Sequence, residues 1–354
     1  MLKKIMDFIL GKKENKPENS HCDEMCLLYG ESPLSLKDEK AISKYFEFEI
    51  KKTASRYVSG RGANLNISFK DAFGEPLSLC SVFHDAFEQW KEVKSLPDRR
   101  SIIFEIFDNL MGDKLDDWRL AERYIEDRRG LDAIEILTLS SIPKEEREEY
   151  CASYAKAFMI MGDYKNAVEW AKKGLSYNSK HLRSNIILAD IYHVTNDHTR
   201  AHKIYNKILK GQSLELNCLL ENIFSFDSGI LRSPILASSL LRNAPEEIWE
   251  KIETEFYYSP HFRCSYAYYL LNKNSFEYVL KAFAKILTLA KEMPWFQEAV
   301  INAHAILEQV DILGSQFEEE KKWLQQLIID QKYEIKNNHT IKTSFGKNIE
   351  NIDI

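Results

Sequence analysis

A chain of 354 residues, 44% of them hydrophobic, has enough apolar side chains to bury a core, which excludes a wholly disordered protein. Its net charge of −6 at pH 7 argues against sequence-independent binding to nucleic acid or to anionic membranes, because such binding requires an excess of basic residues. The six cysteines lie mostly within apolar helical runs, which is typical of reduced thiols that act as small hydrophobic groups.

The N-terminal segment, residues 1–32, is predicted to be flexible and to begin with a short amphipathic helix. Its apolar residues share one helical face: Leu2, Ile5, Met6 and Ile9. This face either docks on the body of the protein or lies at a membrane surface. The segment lacks the cleavage site of a signal peptide, and no uninterrupted apolar stretch of about 20 residues occurs anywhere, so we expect a cytoplasmic protein without a transmembrane segment.

Residues 33–113 are predicted to form a helical region with one small β-hairpin. Ser35 and Asp38 mark the start of a helix, and apolar residues then recur at helical spacing up to Gly60. Apolar residues that alternate with polar ones on both sides of a turn at residues 74–76 predict the hairpin: Leu65, Ile67, Phe69, Leu77 and Leu79. Two helices follow, one from Phe83 through Trp90 and one beyond Pro97.

Residues 114–213 contain a pattern that recurs with a period of 34 residues. Each copy has an alanine, an aromatic residue three positions later, and a second alanine twelve positions after the first. The copies are Ala121, Tyr124 and Ala133; Ala155, Phe158 and Ala167; and Ala189, Tyr192 and Ala201. Because small residues at fixed spacing let helices approach closely, the pattern predicts three helix-turn-helix repeats.

The period and the spacing resemble the tetratricopeptide repeat family. The copy most similar to that family contains the following residues: Ala155, Phe158, Gly162, Tyr164, Ala167, Leu175 and Asn178. The resemblance implies an architecture that binds other proteins. We therefore expect a mainly α protein, a right-handed α-solenoid of helical hairpins with a small N-terminal β-hairpin.

Residues 214–335 are predicted to be divergent helical repeats that end in a capping helix. Pro245, Pro260 and Pro294 mark helix starts or interruptions, and Ser315 with Glu318 predicts a capping box before the last helix. A decayed fourth copy of the repeat pattern is carried by Ala267, Leu270 and Val279. Residues 336–354 have the composition of a polar tail.

Two clusters contain residue types that bind metals. His198 and His202 share one helical face, as in zinc sites, but no third ligand follows in the sequence. His21, Cys22 and Cys26 are close together, yet a second cysteine pair is missing. We therefore predict neither a metal nor another cofactor.

No sequence motif defines a catalytic site. Residues 59–62 could cradle a phosphate, but they lack the ending of a P-loop and fit a helix stop better. His84, Asp85 and Glu88 would suit acid-base chemistry only in a cleft, and they fit the surface of an amphipathic helix. The aromatic run at residues 256–269 has too few basic residues to bind single strands and fits packing between helices.

The first helix of each repeat is predicted to turn one stripe of side chains toward the inside of the superhelix. We call these residues the concave stripe: Trp118, Glu122, Ile125, Ala152, Lys156, Met159, Ile186, Asp190 and His193. The stripe mixes apolar residues with charges of both signs, which suits an amphipathic peptide or helix. Family members that bind chaperone C-termini use a Lys, Asn and Arg clamp on this face. Trp118 and Glu122 occupy its first positions here, which argues against that partner class.

Two functions fit the sequence. In the first, the whole chain is an interaction scaffold, not an enzyme, that binds a peptide or helix of a partner protein in the concave groove. Trp118 is then either the main anchor for the partner or packs under the preceding helix around Phe107 and Leu110. In the alternative, residues 33–113 form a small effector or catalytic module and the repeats recruit its substrate. The first is preferred because no motif supports a chemical reaction.

Overall fold

The computed structural model describes residues 39–58, 69–70, 73–93, 96–111, 115–210, 214–222, 232–273 and 275–333. These residues are mainly helical and include one two-stranded sheet. They divide into two compact units, one that ends at Tyr258 and one that begins at Ser259. The predicted N-terminal segment and polar tail lie outside the described residues.

Among the described residues, the first part of the larger unit contains four helices and the hairpin. The elements are α1 (Glu39–Val58), β1 (Phe69–Lys70), β2 (Pro76–Leu77), α2 (Leu79–Val82), α3 (His84–Glu92) and α4 (Leu96–Met111). α1 packs against α4. Phe46 on α1 is fully buried, and its ring contacts Trp90 on α3 edge-on at 5.3 Å between centroids. Aromatic burial of this kind stabilises the region.

The hairpin is confirmed but is shorter than predicted. Phe69 pairs with Leu77 in antiparallel register, and Gly74 between the strands has a φ of 88°, which favours glycine. Leu79 was predicted in the second strand, but it begins α2 because the side chain of Ser78 accepts a hydrogen bond from the backbone N–H of Ser81. The helix predicted from Phe83 through Trp90 likewise begins after Phe83. Leu65 and Ile67 lie outside the described residues.

Six helices form three consecutive pairs, as the repeat pattern predicts. They are α5 (Asp117–Glu126), α6 (Gly130–Leu139), α7 (Arg147–Ile160), α8 (Tyr164–Tyr177), α9 (Leu182–Val194) and α10 (His198–Leu209). Each odd-numbered helix packs against the next one in the chain. All six alanines of the pattern are completely buried: Ala121, Ala133, Ala155, Ala167, Ala189 and Ala201. The small side chains therefore lie at the contacts between helices.

The three helical pairs also share one turn. Arg128, Gly162 and Asn196 follow the first helix of each pair at the 34-residue period, and all three have a positive φ, at 67°, 79° and 65°. In each pair the carbonyl oxygen of the pattern's aromatic residue accepts a hydrogen bond from the amide five residues later. Asp163 and Asp197 then cap the second helices of their pairs. The turn geometry repeats although its residue types differ.

A short 3₁₀ turn precedes the middle pair. Pro143 lies directly before this turn at Lys144–Glu146, and α7 begins at Arg147. The chain continues in the larger unit with α11 (Leu216–Asn222), α12 (Pro234–Leu240) and α13 (Glu246–Phe256). Pro245 flanks α13, as predicted.

The second unit contains a further series of helices. They are α14 (Pro260–Leu271), α15 (Phe276–Glu292), α16 (Gln297–Gln309), α17 (Asp311–Gln316) and α18 (Glu318–Asp330). Ser259 caps α14, and Ala267 and Leu270 are completely buried. The predicted capping box is wrong, because Ser315 lies in α17 and Phe317 precedes α18 without a side-chain cap. Phe317 is buried against Phe283, and this packing determines where α18 begins.

Candidate functional site

The concave stripe lies on α5, α7 and α9, one set of three residues per helix. The sequence predicted side chains that line an open groove. In the structure, however, all of them except His193 are less than a tenth exposed. Trp118, the expected anchor, is 5% exposed, and the guanidinium groups of Arg119 and Arg183 lie 4.7 and 5.0 Å from the centre of its ring.

Part of the stripe is covered by a later segment of the same unit. Residues 232–234 and Tyr258 face Lys156, Ile186 and Asp190 across a cavity of about 50 Å³. Lys156 Nζ lies 5.0 Å from the centre of the Tyr258 ring, within the range of a cation–π contact. These residues therefore cover the part of the stripe around Lys156, Ile186 and Asp190, which the sequence pattern did not predict.

Glu122 is the centre of one group of buried charges. Its carboxylate accepts hydrogen bonds from Lys156 Nζ at 2.5 Å, from Ser153 Oγ at 3.1 Å and from the guanidinium of Arg183. Burial alone would raise the pKa of Glu122, but the nearby charges of Lys156 and Arg183 outweigh it and hold the pKa at about 2. Glu122 is therefore ionised, and its carboxylate is bonded to side chains of the same protein.

Glu126, one turn further along α5, connects three parts of the larger unit. It accepts hydrogen bonds from Tyr57 on α1 at 2.6 Å and from Arg100 on α4 at 3.3 Å, and it pairs with Arg232. Its own side chain is completely buried, and that of Arg232 is 9% exposed. Because an isolated buried carboxylate would be costly, these partners hold the N-terminal helices and residue 232 against the first repeat.

Asp190 is the buried carboxyl group of the third repeat. It accepts hydrogen bonds from Ser233 Oγ at 2.7 Å and from the hydroxyl of Tyr205. Burial raises the pKa of Asp190 to about 7, although the bonds from Tyr205 and Ser233 and the charge of Lys156 act in the opposite direction. Asp190 therefore changes protonation near neutral pH and contacts the covering segment directly.

His193 is the half-buried end of the stripe. Its ring centroid lies 4.7 Å from that of His198, and burial together with His198, His202 and Arg242 lowers its pKa. His198 and His202 are both exposed. Within the described ranges, no group of three or more His, Cys, Asp or Glu side chains is arranged to hold a metal ion. Cys22 and Cys26 lie outside those ranges.

The other candidate functional residues from the sequence do not form a common site among the described residues. His84, Asp85 and Glu88 are exposed on the short helix α3. The aromatic run at residues 256–269 is mainly buried, with Phe256 and Tyr258 in the larger unit and Tyr266 in the second unit almost completely buried. The phosphate-cradle candidate at residues 59–62 lies outside the described part of the chain.

Sequence reasoning missed Arg183, Arg232 and Ser233. A signal for Arg183 exists, because it follows Glu149 at the 34-residue period and pairs with it. Lys156 follows Glu122 at the same period and also pairs with it. Charges of opposite sign at equivalent positions of neighbouring repeats thus indicate internal ion pairs. No comparable pattern marks residues 232 and 233.

Comparison of the chain with family models, with curated proteins and with solved structures found no match. In the part of the chain that the structure describes, no helix is both long enough and apolar enough to cross a membrane. Inferences about function therefore rest on the geometry of the concave stripe.

Proposed function

We propose that this protein is an interaction scaffold, a right-handed solenoid of tetratricopeptide type, that binds a peptide or helix of a partner protein along the concave stripe. We further propose that it acts in the cytoplasm without a cofactor. The observation that carries the proposal is that the stripe holds a polypeptide segment, residues 232–234, which is supplied by the chain itself.

The chemistry of the stripe fits an amphipathic peptide. Met159 and Ile186 supply apolar contact area, and Asp190 offers a buried carboxylate to donors on a bound chain. Glu126 lies beside the stripe on α5 and offers a second buried carboxylate. Groups of this kind fix the register and orientation of a ligand, and apolar contacts add affinity.

Capture of a partner by stripe variants tests the proposal. Lys156→Met removes a charge at the centre of the stripe, and Glu122 keeps Arg183 as a partner. We expect Lys156→Met to reduce capture of a copurifying protein tenfold or more, as measured by quantitative mass spectrometry of pull-downs from cells. His193→Ala is a second variant, because His193 is the most exposed residue of the stripe.

Lys172→Met is the matched control, because Lys172 is exposed on α8, away from the stripe. It should retain full capture. Circular dichroism and melting temperatures establish which variants are folded. If folded Lys156→Met and His193→Ala both retain the partner as well as Lys172→Met does, the stripe is not the binding surface.

A further inference from the structure

We infer that residues 232–234 are an internal ligand of the concave stripe, and that the external partner is a peptide in which an arginine is followed by serine or threonine. This inference rests on the proposed function and names its partner class and its regulation. In this scheme, the chain's own segment occupies the stripe until a partner of the same chemistry displaces it.

The arginine is the charged part of this ligand. The Arg232 guanidinium pairs with Glu126, whose side chain is completely buried between α1, α4 and α5. A planar guanidinium matches a carboxylate better than the ammonium of lysine does. The pocket therefore selects arginine, and a partner that lacks it would leave a buried carboxylate with fewer donors.

The hydroxyl group is the second part of the ligand. Ser233 Oγ donates to Asp190 at 2.7 Å and also accepts a hydrogen bond from the Leu236 amide at 3.1 Å, which caps α12. A hydroxyl can donate and accept at the same time, whereas an aliphatic side chain can do neither. Serine or threonine at this position thus both satisfies Asp190 and begins a helix.

The apolar part follows on α12. Leu236 packs against the buried core of the second and third repeats, and Ile235 is 5% exposed. Beside the charged groups, however, the segment leaves a cavity of about 50 Å³. This space is partly open to solvent and is large enough for roughly three or four water molecules. The segment therefore does not fill the space beside the charged groups, which is consistent with a segment that can be replaced.

An internal ligand has an advantage over a free peptide. Because both belong to one chain, the effective concentration of the segment at the stripe is on the order of millimolar. A free peptide of the same sequence therefore binds the wild-type chain only weakly. Removal of the segment's polar contacts should expose the stripe to that peptide.

Peptide binding to the full-length chain tests the inference. The probe is a fluorescein-labelled, N-blocked peptide with the sequence of residues 232–240, titrated by fluorescence anisotropy. We expect the double variant Arg232→Ala/Ser233→Ala to bind this peptide at least tenfold more tightly than the wild type does. Within the double variant, peptides that carry Arg232→Ala or Ser233→Ala should each bind at least fivefold more weakly than the unmodified peptide.

Hydrogen exchange on the wild-type chain keeps the inference testable if the double variant does not fold. Excess unmodified peptide should accelerate exchange of the α12 amides, and the Arg232→Ala peptide should not. If the folded double variant binds the peptide no more tightly than the wild type, or if exchange of α12 is unchanged by the peptide, residues 232–234 are not an internal ligand.

The results also separate this inference from the proposed function. If all peptides bind the double variant equally, the arginine and hydroxyl requirement is wrong. If Lys156→Met loses its cellular partner while the peptide never binds, the stripe is a binding surface but residues 232–234 do not imitate its partner. If Lys156→Met retains the partner, the proposed function fails independently of the peptide results.

Discussion

At the scale of single residues, Asp190 couples protonation to the packing of the third repeat. Its folded-state pKa of about 7 lies above the ordinary value of 3.8. The folded protein therefore binds a proton more tightly than the unfolded chain does, so this contribution to stability is fully present below about pH 4. The contribution is lost as the pH rises through the folded-state pKa.

The direction of this pKa shift gives a prediction for the variant Asp190→Asn. The amide cannot titrate, but its oxygen can still accept hydrogen bonds from Ser233 and Tyr205. We expect the melting temperature of the wild type, relative to that of Asp190→Asn, to fall by several degrees as the pH rises from 5 to 8. Differential scanning calorimetry at four pH values measures the difference.

Asp85→Asn is the control for this experiment, because Asp85 is exposed on α3. Its melting curve should run parallel to that of the wild type between pH 5 and 8. Parallel curves for Asp190→Asn as well would mean that Asp190 stays ionised in the folded protein and that burial does not control its protonation.

Glu122 has the opposite pH dependence. Its folded-state pKa of about 2 lies below the ordinary value of 4.5, so its contribution is present above about pH 4.5 and is lost as the pH falls toward 2. The two carboxyl groups occupy equivalent positions in the first and third repeats. Their pKa values differ because their partners differ. Glu122 pairs with two cations, whereas Asp190 accepts hydrogen bonds from two hydroxyl groups.

At the scale of helices, Gly174 marks a close contact between repeats. A Cβ atom at this position would lie 2.5 Å from Ser184 Oγ on α9 and 3.1 Å from Cys151 Cβ on α7. Ser184 is completely buried and bonded to His181, so it cannot move away without cost. The helix α8 therefore requires glycine here, although glycine lowers intrinsic helix stability by about 1 kcal/mol relative to alanine.

We predict that Gly174→Ala destabilises the protein by about 1–3 kcal/mol, because overpacking outweighs the gain in helix propensity. Urea denaturation followed by circular dichroism measures this change. Ser176→Ala, at an exposed position of the same helix, should change stability by less than about 0.5 kcal/mol. A stabilised Gly174→Ala would show that α8 stands further from α7 and α9 than in this structure.

The local order of the repeats was largely predictable from the sequence. The alanine and aromatic pattern placed three helical pairs in the correct register, because the pattern's small residues lie buried where these helices touch. Helix ends were less predictable. Phe317 precedes α18 because its ring is buried against Phe283, and this contact overrides the local capping signal of Ser315.

The surroundings of the candidate site were not predictable at the scale of the whole molecule. The stripe residues were identified from the period, but the period cannot indicate that residues 232–234 lie against them. Arg232 reaches Glu126 across more than 100 positions of sequence, and no local pattern encodes so distant a contact. The N-terminal helices are joined to the first repeat in the same way, through Tyr57 and Arg100.

The larger unit therefore connects the N-terminal helices, the three repeats and the later covering segment. Arg100 also donates a hydrogen bond at 2.6 Å to the backbone oxygen of Thr254 on α13. Lys52 Nζ donates a hydrogen bond at 3.3 Å to the carboxylate of Glu255. These contacts place the first and last parts of the unit around the same repeat. We propose that this arrangement controls access to one peptide-binding surface.

Photo-crosslinking at the stripe tests that claim most directly. The full-length protein would carry p-benzoylphenylalanine in place of His193, the half-buried end of the stripe, or in place of the exposed Lys172 on α8 as the control. We predict that irradiation in cells joins the His193 position, but not the Lys172 position, to a separate protein, identified by mass spectrometry. Crosslinks from the His193 position only to residues of the same chain, or equal crosslinking to the separate protein from both positions, would contradict the account.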